Sequence, residues 1–451
     1  MNLKLNYIYI ILFASFFFFW GVNLNFIRDL EFLDFDSKSR DFLSNFKLSY
    51  LIVILIIPIL YKFIKEKSLS PNIIFNYQKY VIFFVIFVTA HFFLVKIYYY
   101  EIINKSEITN IFYLILLSII YCHYRNFIFI NFKKILIFYL IVFILFSYIE
   151  GLQLGAKVFN YGQCNNDIFL IHIIGKYLKI VLTNSIYLEN SHLAMMTIAV
   201  FFSSLYILVQ GKKNNILFLL LFSIEVIIVL NNLSTTFFVC YLFSQVALLL
   251  FFFKRMNIKF WIVAFLFLFA NSYLFLSDKN CTTKITELSI KAIQKNDLKK
   301  NDSNFTTLIY QRSIIVAKET LLNHPLGWGI DGMDNATIDL LDNYNFVATK
   351  YFTVRNIESV PWMLKFLNLK DGLSNLLKLF TEFGLFAFLV YFYFLKYILN
   401  IKNINSYNIF IIVLFITMSI RGAGYFNGAF IFCVLEFFYH KKFTKELYKI
   451  N

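Results

Sequence analysis

Arg312, His324 and Asp331 fall within the one long hydrophilic stretch of this chain, and their side chains suit two tasks that group-transfer chemistry needs side by side. Arginine holds a charge that does not titrate near neutrality and offers a planar fork of N–H donors to phosphate or carboxylate oxygens. A histidine or a positioned carboxylate can take the proton of a hydroxyl. Arg421, in Arg421-Gly422-Ala423-Gly424, and Arg355 are further anion-binding candidates; Glu189 and Glu382 stand behind His324 and Asp331 as proton acceptors. Plainer readings exist for each. Arg312 could sit on a solvated helix face, and a His before Pro often caps a helix end.

Spacing adds a second group. Asp371, Ser374, Asn375, Lys378 and Glu382 recur at three- and four-residue steps, which puts them on one face of a helix. Lys378 is a substrate-binding candidate there, or else the partner of Glu382 in an i,i+4 ion pair. Upstream, a helix over about 305–322 sets Leu308, Ile309, Ile315 and Leu321 against polar Gln311, Arg312, Lys318 and Glu319. Asn323-His324-Pro325 ends it, because proline disfavours helical geometry in the residue before it. Gly327 and Gly329 around Trp328 then permit a tight turn.

The elements that must position these residues are membrane helices. The chain has 451 residues, 60% apolar and 15% charged, with a mean hydropathy of +0.69. Soluble domains carry about 25% charge. The 59 Phe and 30 Tyr, with abundant Ile, Asn and Lys, resemble the coding bias of an AT-rich genome, so aromatic richness is not itself a ligand signal. Apolar runs long enough to cross the hydrocarbon as helices fall near 5–27, 48–64, 79–97, 108–125, 135–151, 188–210, 214–231, 234–253, 259–276, 374–399, 406–421 and 424–439. The expectation is an all-α polytopic membrane protein of about twelve transmembrane helices with one large extracytoplasmic loop. Residues 1–277 would hold helices one to nine, 278–373 the loop, and 374–451 helices ten to twelve with a C-terminal tail.

Lysines and arginines near span ends set orientation. With the N-terminus inside, Lys62, Lys65, Lys67, Lys79, Arg125, Lys133, Lys134, Lys254, Arg255, Lys259, Lys441, Lys442, Lys445 and Lys449 gather on the cytoplasmic face and outnumber the cations opposite. Both termini are then cytoplasmic and 278–373 is outside. Arg421 falls at an outer span end, where an interfacial anchor is its plain reading. The net charge of +16 is largely this signal, with attraction to anionic lipid, rather than a sign of nucleic acid binding.

Cys122, Cys240 and Cys433 lie in spans as packing residues, while Cys164 and Cys281 fall outside and could pair in an oxidising compartment. The stretch 165–183 reads as an interfacial helix with His172, Lys176 and Lys179 on one face. Glu225, within a span, reads as a buried hydrogen-bonding acid. No zinc spacing, phosphate-binding loop, dinucleotide fingerprint or repeat is present, and no metal or cofactor is expected.

The order of Arg312, an apolar-periodic helix, His324-Pro325-Leu326-Gly327-Trp328-Gly329, a polar interval, Ser374-Asn375 and Leu379-Phe380-Thr381-Glu382-Phe383-Gly384 resembles the O-antigen polymerase and ligase superfamily of bacterial envelope proteins. The resemblance covers the arrangement of the chain, with its sharp motifs in 312–384. It implies an inner-membrane glycosyltransferase of lipopolysaccharide or other polysaccharide biosynthesis. The donor would be an undecaprenyl-pyrophosphate-linked glycan, used at the periplasmic face without metal or nucleotide sugar. A polymerase joins it to another lipid-linked repeat; a ligase passes it to lipid A core. Arg312, Arg421 and Arg355 would hold the pyrophosphate, and His324, Asp331, Glu189 or Glu382 would activate a sugar hydroxyl. Ser374-Asn375 stands where ligase-like members tend to have His-Asn, and the segment Ser234-Thr235-Thr236 lacks their arginine, so polymerase is favoured. A chain-length regulator is a further candidate partner. From a different class, a polysaccharide flippase would show internal repeats and access to both faces.

Overall fold

The structure is a computed structural model that describes residues 3–18, 48–66, 71–99, 105–154, 190–210, 216–231, 235–277, 305–343, 374–422, 424–426 and 429–439. All regular elements among the described residues are helical. They are α1 (Leu3–Phe18), α2 (Ile56–Glu66, preceded by a 3-10 segment Leu48–Leu55), α3 (Pro71–Tyr98), α4 (Lys105–Leu154), α5 (Asn190–Gln210), α6 (Ile216–Asn231), α7 (Thr235–Phe252) and α8 (Ile258–Ser277). The hydrophilic stretch contributes α9 (Phe305–Asn323) and α10 (Met333–Asn343); α11 (Asn375–Phe383), α12 (Ala387–Asn400), α13 (Ser406–Ile420) and α14 (Phe430–Phe438) follow.

Lipid is the solvent these helices suit. Four segments, Lys79–Tyr98, Glu107–Leu145, Thr236–Arg255 and Asn375–Asn400, are long and apolar enough to cross a membrane, and six shorter apolar helices accompany them. Their outward faces are greasy: Leu250 is 75% exposed, Phe269 71% and Ile216 68%, while Ser203, Ser244, Gln245 and Thr417 are buried. Helices apolar on every side belong in hydrocarbon or a large core.

At the centre stands α13. Ile409, Phe410, Ile411 and Ile412, a full turn of helix, are all at most 1% exposed, so neighbours surround it. It packs most closely on α5 and also touches α7, α11 and α14. Aromatic rings fill the gaps, among them Phe18 against Tyr139 at 4.2 Å and Phe415 against Phe430 at 5.3 Å.

One expectation is overturned. The runs 108–125 and 135–151, expected as separate spans joined at Arg125, Lys133 and Lys134, form the single 50-residue helix α4. No Gly or Pro interrupts it before Gly151, and Arg125 does not end a span because its charge is answered inside the protein. The guanidinium donates through Nη2 to Glu436 Oε1 at 2.8 Å and through Nε to Oε2 at 3.1 Å. Tyr121 and Tyr407 donate to the same carboxylate, and Arg125 lies over the Tyr439 ring. Two charges and two phenols thus satisfy one another in a buried network, which makes such burial tolerable.

Candidate functional site

The run expected as span ten is a broken helix. α11 stops at Phe383, Gly384–Phe386 forms a 3-10 turn with Gly384 at φ +53°, and α12 resumes at Ala387. A break inside apolar surroundings leaves the last carbonyls of α11 without helical partners. They are met from the hydrophilic stretch. Trp328 N–H donates to the Thr381 carbonyl at 3.1 Å and Gly329 N–H to the Glu382 carbonyl at 2.8 Å; in return Leu385 N–H donates to the Pro325 carbonyl at 2.9 Å. The turn closes on itself through Gly327 N–H and the His324 carbonyl at 2.7 Å. The two motifs read separately in the sequence are therefore one folded unit.

The seat beneath this turn is the end of α3. His91 donates from Nε2 to the Leu326 carbonyl at 2.7 Å, Phe92 and Val95 lie against Gly329, and Tyr99 packs on His324 at 5.0 Å and Trp328 at 6.0 Å. His324 also rests on Trp328 at 4.5 Å and stays half-buried. Trp328, Val316, Met333 and Ala336 form a small core that joins α9, the turn and α10.

Beside the break lies the charged cluster. Lys378 Nζ is 3.6 Å from Glu382 Oε1 and 4.0 Å from Asp331 Oδ1, and sits 5.1 Å over the Tyr425 ring. Asp331 takes a left-handed backbone at φ +65°, which directs it back from the turn towards α11. Lys378 thus serves as the ion-pair partner of two acids, whatever else it does.

The N-terminus of α11 is equally built. Ser374 caps it by accepting from Leu377 N–H at 3.3 Å and donates to the Ser419 carbonyl at 2.6 Å. Asn375 Oδ1 accepts from Gly424 N–H at 3.1 Å, and the Gly422 α-carbon is pressed against the Asn375 side chain. These contacts hold Arg421, 8% exposed, at the end of α13.

Arg312 corrects the periodicity. It is 2% exposed and shares the buried face of α9 with Ser313, Val316, Ala317 and Thr320, whereas Ile314 and Leu322 are exposed. Small residues at helical spacing let α9 approach α11 closely, its most extensive contact. Burial lowers the Arg312 pKa to about 10, which leaves it charged at neutral pH. Tyr310, on the same helix, is within electrostatic reach of Arg421 and Ser374, and burial raises its pKa above the ordinary phenol value.

α11 is therefore the hub: Lys378, Glu382, Asp331 and the His324 turn gather at its C-terminal half, Arg421 at its N-terminus, and Arg312 on the helix packed along it. Glu189, Arg355, Asp371, Cys164, Cys281 and the stretch 165–183 lie outside the described residues. Cys240 and Cys433 are buried, Cys122 partly so. Sequence reasoning missed His91, Tyr310 and Tyr425, none of which stands in a motif. Among the described residues, no three His, Cys, Asp or Glu side chains converge as a metal cage requires.

An apolar crevice of about 190 Å³ starts beside Ile330, Phe383 and Tyr425 and runs between α3 and α12 over α14 to Tyr393 and Phe438. Phe83 and Leu389 on its rim are exposed, so it opens sideways between the helices. From Phe383 to Tyr393 it is ~15 Å long.

Comparisons with protein-family models, curated proteins and solved structures find no match for this chain.

Proposed function

We propose that this protein is a multi-pass bacterial inner-membrane polymerase that joins undecaprenyl-pyrophosphate-linked oligosaccharide repeats into an O-antigen or capsule-like polysaccharide. The reading is carried by one observation: an apolar crevice is lined at one end by Ile330, Leu379, Phe383 and Tyr425, the chain neighbours of Asp331, Lys378 and Glu382 and the ring over which Lys378 sits. A substrate with a polyprenyl tail and a diphosphate head suits such a junction. The tail would lie along α3, α12 and α14. The diphosphate would meet Arg312 and Arg421, with Arg355 as a further candidate, because a leaving pyrophosphate needs charge that does not titrate. His324, Asp331, Glu382 or Glu189 would take the proton of the acceptor hydroxyl.

The sidedness rests on the last three apolar segments. In this reading α11–α12, α13 and the apolar run that ends in α14 would cross in turn, which sets the α9–α10 stretch opposite Lys441, Lys442, Lys445 and Lys449, the cations that the charge rule keeps in the cytoplasm. The active face would then be periplasmic.

Deletion of the gene, followed by gel analysis of surface polysaccharide, tests the reading. Single capped repeats support polymerase. Long lipid-bound chains with none on lipid A core would replace it with ligase, and repeats accumulating on the cytoplasmic side would replace it with a flippase.

A further inference from the structure

We propose that His91 is a positioning residue, whose ring N–H inside α3 fixes the height of the Leu326 carbonyl and so of the turn that carries His324. The side chain is 4% exposed and its Nε2 lies 2.7 Å from that carbonyl oxygen. A carbonyl only accepts, so the proton sits on Nε2. The two groups are 235 positions apart, so nothing local explains the contact. A polar ring within an apolar helix is costly unless it has such work.

The rest of the turn is bound elsewhere. Trp328, Gly329 and Pro325 use their backbone groups on α11 and Leu385. The contacts of Phe92 and Val95 with Gly329 are apolar and tolerate sliding. His91 supplies direction between α3 and the turn. Its ring also stacks on Phe383 at 5.1 Å and meets Phe386 edge-on at 5.5 Å, two residues that line the crevice. It therefore stands between the turn above and the lipid-facing crevice below. The importance of that turn for transfer rests on the function proposed above.

The test uses full-length protein in native membranes with Cys164→Ser, Cys281→Ser and Leu326→Cys, labelled by a water-soluble maleimide. His91→Phe keeps a flat ring against Phe383 and loses the donor; His91→Gln keeps an N–H near the same place. His91→Phe should raise the labelling rate about tenfold, the weight of one net hydrogen bond in an opening equilibrium, and His91→Gln should restore it. An unchanged rate in His91→Phe overturns the proposal, as does an equal rise in both variants. If His91→Phe fails to accumulate, His91→Leu replaces it and is judged by the same results. Polymer length in strains with native cysteines and Leu326 should follow the same order, short with His91→Phe and restored with His91→Gln. If Arg312→Ala leaves polymer unchanged while labelling behaves as expected, the functional reading falls and the role of His91 in holding the turn stands.

Discussion

Gly327 and Gly384 meet so closely that neither has room for a β-carbon: one built on Gly327 would lie 2.6 Å from the Gly384 nitrogen, and one built on Gly384 2.7 Å from the Gly327 nitrogen and 2.1 Å from the Pro325 oxygen. Both also adopt positive φ, +79° and +53°. Backbone faces backbone, so no side-chain rearrangement can make space. The docking of the hydrophilic turn into the broken helix depends on this pair.

Alanine at either position should therefore prevent stable accumulation. Gly329 shares the same φ, but a β-carbon there would meet only Val95 and Phe92 side chains at 3.6 Å or more. Gly329→Ala should cost about 1–2 kcal/mol of backbone strain and leave a folded protein. Thermal unfolding in detergent with membrane abundance checks the order; equal behaviour of all three variants would contradict the interlock.

Arg312 should trade stability for function. Burial lowers its pKa from the usual 12.5 to about 10, so the folded state disfavours the charge. That cost is fully present below about pH 10, shrinks between 10 and 12.5, and vanishes above. Arg312→Met should thus raise the unfolding temperature at pH 7, by an amount worth about 1–3 kcal/mol, while polymer formation falls at least about 100-fold. Arg312→Lys should keep the charge yet lose the fork, with a smaller loss of activity. A methionine variant that forms polymer normally would remove Arg312 from the chemistry.

Lys378 balances two carboxylates, and its removal should be worse than removal of either partner. Lys378→Met leaves Asp331 and Glu382 facing each other without a cation, a change worth about 3–5 kcal/mol. Adding Glu382→Gln to it should recover part of the loss. A double-mutant cycle on unfolding temperature should give coupling of at least about 1 kcal/mol; additive effects would mean that the 3.6 Å contact has no energetic weight.

The Arg125 and Glu436 pair provides a contrast. Tyr407 in the first turn of α13 joins it, whereas Arg421 follows the last turn of the same helix, ~21 Å away along the axis. Arg125→Met should lower stability by about 3–5 kcal/mol, yet polymer formed per molecule in the membrane should stay within about twofold of the unchanged protein. Quantitative immunoblotting against polymer yield separates the two.

Sidedness can be read directly. Lys318 is exposed on α9, so in protein that also carries Cys164→Ser and Cys281→Ser, Lys318→Cys should react with a membrane-impermeant maleimide in intact spheroplasts. In the same background Lys445→Cys should react only after lysis. The reverse pattern would put the charged cluster in the cytosol and end the proposed function.

Much of this was legible in the residues, and the failures have definite causes. That the chain would be all-helical and apolar followed from run length, which depends only on local composition, whereas the division of 108–151 into two spans did not hold. His324, Asp331, Lys378 and Glu382 stood out because glycine-flanked turns and i,i+4 spacing are local signals too. The plainer reading of Arg312, a solvated helix face, fails because periodicity sees one helix at a time and cannot see α11 arriving to bury a polar side. Arg125 suggested a turn for the same reason: its carboxylate partner is 311 positions away. His91 had no signal at all, since one histidine in an apolar run looks alike whether or not a distant carbonyl needs it.

The length of α4 bears on the bilayer itself. Its apolar portion, Glu107–Leu145, measures ~58 Å against a hydrocarbon thickness of ~30 Å. Upright, it would push almost half its greasy surface into water. In a bilayer of that thickness it would have to lean beyond the usual tilt range, lift its ends among the headgroups or draw a locally thicker collar of lipid around itself.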